Sequence, residues 1–250
     1  MENNPNLSNK ELHDQKKQEK MAEKDRLTRG KKIKSVSIWT GVAVLILGSI
    51  WGLASLVDNT DVPAPTALLA DAVSEADWFL GSKTASVVLV EYGDYQCPAC
   101  AAYHNFTKQL TAEFGENITF VYRHFPLRRI HPNANIAAQA AEAAGKQGKF
   151  WEMHDMLYKN QNSWAKSVSA EKIFAGYAAD LGLSAEQFKT DLDSDEIKDK
   201  INLDLASAER ANLPGTPSFF LNGKTIESPQ SYDQFRTLIL QAGASPISTN

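Results

Sequence analysis

Apolar and polar positions divide the chain into stretches of different character. From Val36 to Val57 the sequence VSIWTGVAVLILGSIWGLASLV runs 22 residues without a charged side chain. At about 1.5 Å rise per residue such a run crosses a hydrocarbon core about 30 Å thick, which predicts one membrane-spanning helix. Trp39 and Trp51 fall toward its ends, where indole rings favour the membrane interface. The run is longer than the apolar part of a secretory signal and follows a long polar leader, so a retained anchor is expected; cleavage near Ala54 or Ala64 is the competing reading.

Beyond a Pro- and Ala-containing tether over 58–76, the patterning predicts a fold beginning near Asp77. SVVLVEY (86–92) is a short valine-rich run that reads as a buried strand, and NITFVYRHFPL (117–127) is a second. Between them, Ala101, Phe106, Leu110 and Phe114 recur at roughly helical spacing, so the segment reads as a βαβ unit. Residues 132–212 are alanine-rich and helical in pattern. Ile136, Ala137, Ala140, Ala141 and Ala144 predict one apolar helix face, KFWEMHDMLY starts another helix after Gly148, and further helices begin near Ala170 and at Ser184. Ser184 to Gln187 matches a capping box, and Gly182 can end the helix before it. TPSFFLNGKTI (216–226) carries Asn222-Gly223 between two β-rich runs, a strong hairpin signal, and SYDQFRTLILQAG closes the chain as an amphipathic helix.

Charge sharpens this division. The net charge of −4 conceals ten Lys and Arg against six acids in residues 1–34, a +4 leader before a −8 remainder. Lys31, Lys32 and Lys34 precede the apolar run and Asp58 and Asp61 follow it, so the positive-inside bias leaves residues 1–35 cytoplasmic and exports the C-terminal domain. An acidic body argues against nucleic acid as a partner. With 43 % hydrophobic and 22 % charged residues, that body has the balance of a packed domain.

Both cysteines of the chain, Cys97 and Cys100, lie in EYGDYQCPACAAYH. A disulfide three residues apart constrains the unfolded chain little, so the pair is not a structural staple. Zinc is disfavoured because no second CxxC or HxxxH accompanies the pair, and a c-type haem would need histidine where Ala101 stands. His104, His124, His131 and His154 are scattered along the chain and read as packing or surface residues. In an exported domain, a close pair of thiols is suited to act as an exchangeable redox couple.

VLVEYGDYQCPAC followed by GTPSFFLNG resembles the DsbA-like family of exported thiol-disulfide oxidoreductases, especially its membrane-tethered members, over roughly residues 77–243. The resemblance implies an α/β thioredoxin-like fold with an inserted helical domain at about 132–212, behind the single transmembrane helix. It also implies Cys97 as nucleophile at a helix N-terminus, where unpaired N–H groups and the helix dipole favour thiolate, and Cys100 as the resolving thiol. Pro98 suits the first helical turn. Glu91 matches a buried acid that passes protons to the resolving thiol, although Val90 and Tyr92 permit a solvent-facing glutamate as readily. Thr216-Pro217 matches a cis-proline loop that, with Pro98 and Ala99, meets an extended substrate peptide; an ordinary trans proline at a strand edge is the alternative. Asp94 reads as a turn residue and Pro214 as a helix stop.

Pro98 favours oxidation of substrate thiols. The family's strong oxidants, however, carry a histidine before the second cysteine and often valine before the cis proline, where this chain has Ala99 and Thr216. Reduction or isomerisation therefore stays open, as does a redox-inert peptide-binding or chaperone module. The resemblance requires no cofactor. It implies exported proteins bearing thiols or disulfides as partners and, for an anchored domain, a membrane thiol-oxidising protein that resets the cysteines.

Overall fold

The computed structural model describes residues 71–247, together with Lys20 and Met21. The leader, the apolar run 36–57 and most of the tether lie outside the described residues. Among those described, no helix is long and apolar enough to cross a membrane.

The βαβ signal becomes β2 (Val88–Gly93) and β3 (Thr119–His124), paired in parallel across α1 (Pro98–Phe114), whose length the crossover requires. A strand absent from the sequence reading, β1 (Trp78–Gly81), adds antiparallel to β3. Its four residues are too short for alternation to register. On the other side of β2 lie β4 (Ser218–Leu221) and β5 (Lys224–Ile226), so the sheet runs β1-β3-β2-β4-β5. Asn222 and Gly223 join the last two with φ of 50° and 79°, the left-handed pair a two-residue hairpin turn needs. The helical block resolves into α2 (Ala134–Gly145), α3 (Phe150–Lys159), α4 (Gln161–Trp164), α5 (Ala170–Asp180), α6 (Ala185–Leu192) and α7 (Asp195–Arg210), and α8 (Tyr232–Gln241) ends the fold.

Alternation sorts the sheet into two faces. Leu89, Phe120 and Phe219 pack with Leu110 and Phe114 of α1 and with Phe235 and Ile239 of α8. Val90, Tyr92, Val121 and Phe220 face the other way, toward Ala208. Glu91, two residues after Leu89, therefore belongs to the face that α1 covers. The third core is helical. Helix α2 is buried on nearly every side, from Ala137 through Gly145, which corrects the one-face expectation. Alanine suits it because small side chains let Phe150, Met153, Trp164, Phe174 and Phe188 close in around it.

Two local expectations are refined. Ser184 accepts from the Gln187 N–H at 3.3 Å, but the return half of the capping box is missing: the Ser184 N–H donates to Gln147 Oε1 and the Gln187 side chain turns to Asp191. The end of the predicted tether is docked rather than free. Arg123, buried on β3, donates to both carboxylate oxygens of Asp77 at 2.8 and 2.9 Å and to the carbonyls of Asp71 and Ala72.

Candidate active site

Residues 94–97 form a turn that delivers β2 into α1. The Asp94 carbonyl accepts from the Cys97 N–H, and its buried carboxylate accepts from the N–H groups of Gln96 and Leu127 and from His131 Nδ1 at 2.7, 2.9 and 2.7 Å. Cys97 is the extended N-cap residue, Pro98 stands in the first turn, and the Ala101 N–H closes the first helical hydrogen bond onto the Cys97 carbonyl. Proline fits there because its missing N–H belongs among the unpaired donors of a helix start. The inserted helices hold this turn from outside: Gln161 Nε2 donates to the carbonyls of Tyr95 and Cys97, and Gln96 is held by Ala165 and Asn133.

Cys97 and Cys100 are both free and both buried, while Pro98 and Ala99 between them are exposed. Across from them the Thr216-Pro217 bond is cis, and both residues are half-buried. As a thiol, Cys97 Sγ lies 3.4 Å from the Thr216 carbonyl. As a thiolate it gains nothing from that carbonyl, but it has donors: chiefly the Cys100 thiol, then the Thr216 hydroxyl and the N–H groups of Cys100 and Ala99. Together these outweigh desolvation and bring its pKa down to about 5. The Thr216 hydroxyl is buried without a hydrogen-bond partner, so it is free to turn to the thiolate.

Cys100 goes the opposite way. Burial, the hydrogen bond it gives to Cys97 and the charge of Glu91 push its thiol well above the ordinary value. Glu91 is 1 % exposed, and one carboxyl oxygen has no hydrogen-bond partner. Desolvation, and then the Cys97 thiolate, raise it to about 8. At neutral pH the site thus holds a thiolate at Cys97, a thiol at Cys100 and a neutral carboxyl at Glu91. The orientation that Val90 and Tyr92 left open is the inward one.

The histidines, scattered in sequence, converge in space. His104, His124 and His154 gather around Tyr95, Tyr122 and Tyr158, with the His104 and His154 ring centres 5.1 Å apart and Tyr95 5.4 Å from His154. Among the described histidines only His131 stands apart, on Asp94. Burial and the neighbouring His104 keep His154 neutral, well below the ordinary imidazole range. Among the described residues no group of His, Cys, Asp or Glu is arranged to hold a metal. Sequence reading missed Gln161 as a support of the cysteine turn, while Asp94 is the turn residue it was read as and its carboxylate also holds the turn. Gln161 lies 64 residues from Cys97 with no motif around it, whereas the Asp94–Gln96 spacing of an Asx turn was a signal that could have been followed further.

Comparison with known proteins places this arrangement. A family model described as Thioredoxin matches residues 73–241. The Na(+)/H(+) antiporter NhaA 1 of Mycobacterium sp. (strain KMS) is 35 % identical over 193 residues, which cover 75 % of this chain but 30 % of that protein. The chain thus spans under a third of the length of the curated relative it matches. Among solved structures, oxidised BdbD from Bacillus subtilis superposes with a TM-score of 0.63 at 22 % identity, covering 70 % of this chain and 97 % of that one. A thioredoxin-like oxidoreductase from Silicibacter pomeroyi DSS-3 gives 0.58 at 28 % identity, covering 68 % and 93 %.

Proposed function

Since the chain belongs to the thioredoxin family, we propose that it is a protein thiol-disulfide oxidoreductase of the DsbA-like kind that oxidises the thiols of exported proteins. The observation that carries this reading is the opposed protonation of neighbouring groups: Cys97 brought down to about 5, Cys100 pushed up, and Glu91 neutral beneath them. A low nucleophile pKa stabilises the reduced pair and makes its disulfide the stronger oxidant. That argues for oxidation over reduction or isomerisation, and an inert binding module has no use for the difference between the two thiols.

The oxidised enzyme carries a Cys97–Cys100 bond. A substrate thiolate attacks Cys97 Sγ, the S–S bond breaks, and the electron pair leaves on Cys100, which takes the proton of Glu91. A second substrate thiolate then attacks the substrate sulfur of the mixed disulfide and releases Cys97 as its favoured thiolate. The substrate gains a disulfide and the enzyme two electrons. Pro98 and Ala99 on one side and Thr216 and Pro217 on the other flank the reacting sulfur, where the backbone of an extended peptide is received. No cofactor is needed. Residues 36–57 anchor the chain with its N-terminus in the cytoplasm and the catalytic domain outside, and a membrane thiol-oxidising protein resets the cysteines.

The test is the redox equilibrium of the full chain against glutathione, with Cys97→Ala as control. A potential near about −120 mV supports disulfide donation, and one near about −270 mV moves the assignment to a reductase. Absence of reversible exchange overturns the enzyme reading altogether. Carbonate extraction of cell membranes tests the anchor: the full chain should stay in the pellet, and a chain lacking 36–57 should not.

A further inference from the structure

Arginine is charged at every pH a protein meets, and in a body of net charge −8 carboxylate partners are plentiful. Three of the five described arginines have one: Arg123 pairs with Asp77, Arg210 with Asp71 and Arg236 with Glu113. The other two, Arg128 and Arg129, are adjacent and exposed, and neither meets a carboxylate among the described residues. Arg128 is held by neutral groups instead. Its Nε donates to Asn135 Oδ1 at 2.9 Å and its Nη2 to Asn202 Oδ1 at 2.8 Å. These bonds fix the guanidinium plane and leave an outer N–H on each of Nη1 and Nη2 for a ligand.

The two arginines stand beside the cysteine turn. The Leu127 N–H and His131 Nδ1 meet the same oxygen of Asp94, Oδ2, so residues 128–130 bulge between two points of attachment to that turn. The N–H groups of Ile130 and His131 both donate to the Leu127 carbonyl, which closes the bulge on itself. Asp94 also accepts from the Cys97 N–H, and this turn geometry keeps the His131 ring within roughly 13 Å of the Cys97 Cα. Arg128, His131, Asn135, Lys198 and Asn202 line an open cavity of about 460 Å³ with Pro132, and no acid lines it. Lys198 is already paired with Asp193, so the uncompensated charge there is that of Arg128, with Arg129 next to it.

We propose that this cavity is a substrate subsite that receives an acidic side chain of the exported protein being oxidised. An extended peptide rises about 3.3 Å per residue, so the acid lies about three to five residues from the thiol that attacks Cys97. Arg128 offers its outer N–H pair to the carboxylate as a preorganised fork, and Arg129 adds a second positive charge. The acidic body repels such a segment elsewhere, so the arginine pair orients it as well as holding it. The proteins oxidised fastest are those whose cysteines lie in acidic sequence.

The subsite rests on the oxidoreductase reading and is tested on the full-length chain. Three dithiol peptides, alike except for Asp, Asn or Lys at that spacing from each cysteine, are oxidised by the Cys97–Cys100 disulfide form, with acid quenching and mass spectrometry as the readout. Each rate is divided by the same peptide's rate with hydroxyethyl disulfide, an uncharged reagent, which removes the effect of the neighbouring charge on the thiol itself. The Asp-to-Lys ratio of these rates should be on the order of ten in wild type. The double variant Arg128→Glu, Arg129→Glu should invert it. Because the ratio compares two peptides on one enzyme, any change in the reactivity of the cysteines cancels. Lys172→Glu with Lys224→Glu makes the same change of charge outside the cavity and should leave the ratio within about two-fold of wild type. An equal inversion in that control overturns the subsite, since net charge then accounts for the preference. A ratio that the arginine reversal does not move overturns it too. If the double arginine variant does not fold, Arg129→Glu alone should lower the ratio about three-fold or more, and an unchanged ratio overturns the subsite. Failure of the wild-type protein to oxidise any of the three peptides removes the oxidoreductase reading, whereas oxidation of all three at equal normalised rates removes only the subsite.

Discussion

Glu91 and Cys97 have shifts of opposite sign, and their pH dependences separate them. Glu91 binds its proton more tightly folded than unfolded, so stability falls as pH rises from the ordinary glutamate range to about 8. Glu91→Gln removes that loss. In the oxidised protein, where no thiolate contributes and desolvation alone acts, its advantage in thermal unfolding should be absent near pH 4, grow by up to about 1.4 kcal/mol per pH unit above the ordinary glutamate range, and level off at a lower pH than in the reduced protein. An unchanged difference across that range would mean that Glu91 is hydrated. Cys97 is depressed, so the reduced form gains stability as pH rises from about 5 to the ordinary thiol range and loses it as pH falls through about 5. The ultraviolet thiolate absorbance of the reduced chain should titrate near pH 5, and that transition should vanish in Cys97→Ala. The positions of these residues were legible because a CxxC pair and a strand-borne acid have distinctive spacing. A thiolate at Cys97 was expected from its place at a helix start, but the size of neither shift was legible, since each depends on groups remote in sequence or on burial that alternation alone left undecided.

At the scale of the element, the first turn of α1 depends on a side chain from another helix. Gln161→Ala leaves the Tyr95 carbonyl without its donor and takes from the Cys97 carbonyl one of its two, the Ala101 N–H remaining. Two buried acceptors losing one amide should cost about 1–3 kcal/mol in urea unfolding and broaden the Cys97 titration, since the cap residue is no longer pinned. A stability within error of wild type would show that water replaces the amide. Ser184→Ala should cost about 1 kcal/mol or less, because only one half of its capping box exists. Most elements could be read from pattern: the βαβ unit, the Asn222-Gly223 hairpin and α8 all lie where periodicity puts them. The strand β1 escaped because four residues hold too little alternation. Helix α2 misled because alanine marks a helix without saying how many sides are buried.

At the scale of the whole molecule, the buried Asp77–Arg123 pair ties the chain segment entering the domain to the sheet, and its partner hydrogen bond from Arg123 to the Tyr92 hydroxyl at 2.9 Å extends the tie to β2. Asp77→Ala strands a buried guanidinium and should lower stability by about 3–5 kcal/mol, measured by urea unfolding of the full chain. The Arg123 pairing holds the Asp77 carboxyl below its usual range against desolvation, so this contribution is complete above the ordinary aspartate pKa and fades as pH falls through the lower folded value. A loss under about 1 kcal/mol would mean that the segment is frayed in solution. The sequence by itself determined the quantities that periodicity and local chemistry encode: a thioredoxin-like order of elements, the cysteine pair at a helix start, an acid six residues before it, a Thr-Pro ahead of the hairpin, and an apolar run long enough to span a bilayer. Tertiary structure alone decided which groups meet. It brought Thr216 to Cys97 and Gln161 under the turn, and it gathered three distant histidines and three tyrosines behind Glu91. Hydrogen bonding and desolvation act over a few ångströms of space, and that proximity is set by how helices and sheet close on one another, not by separation along the chain.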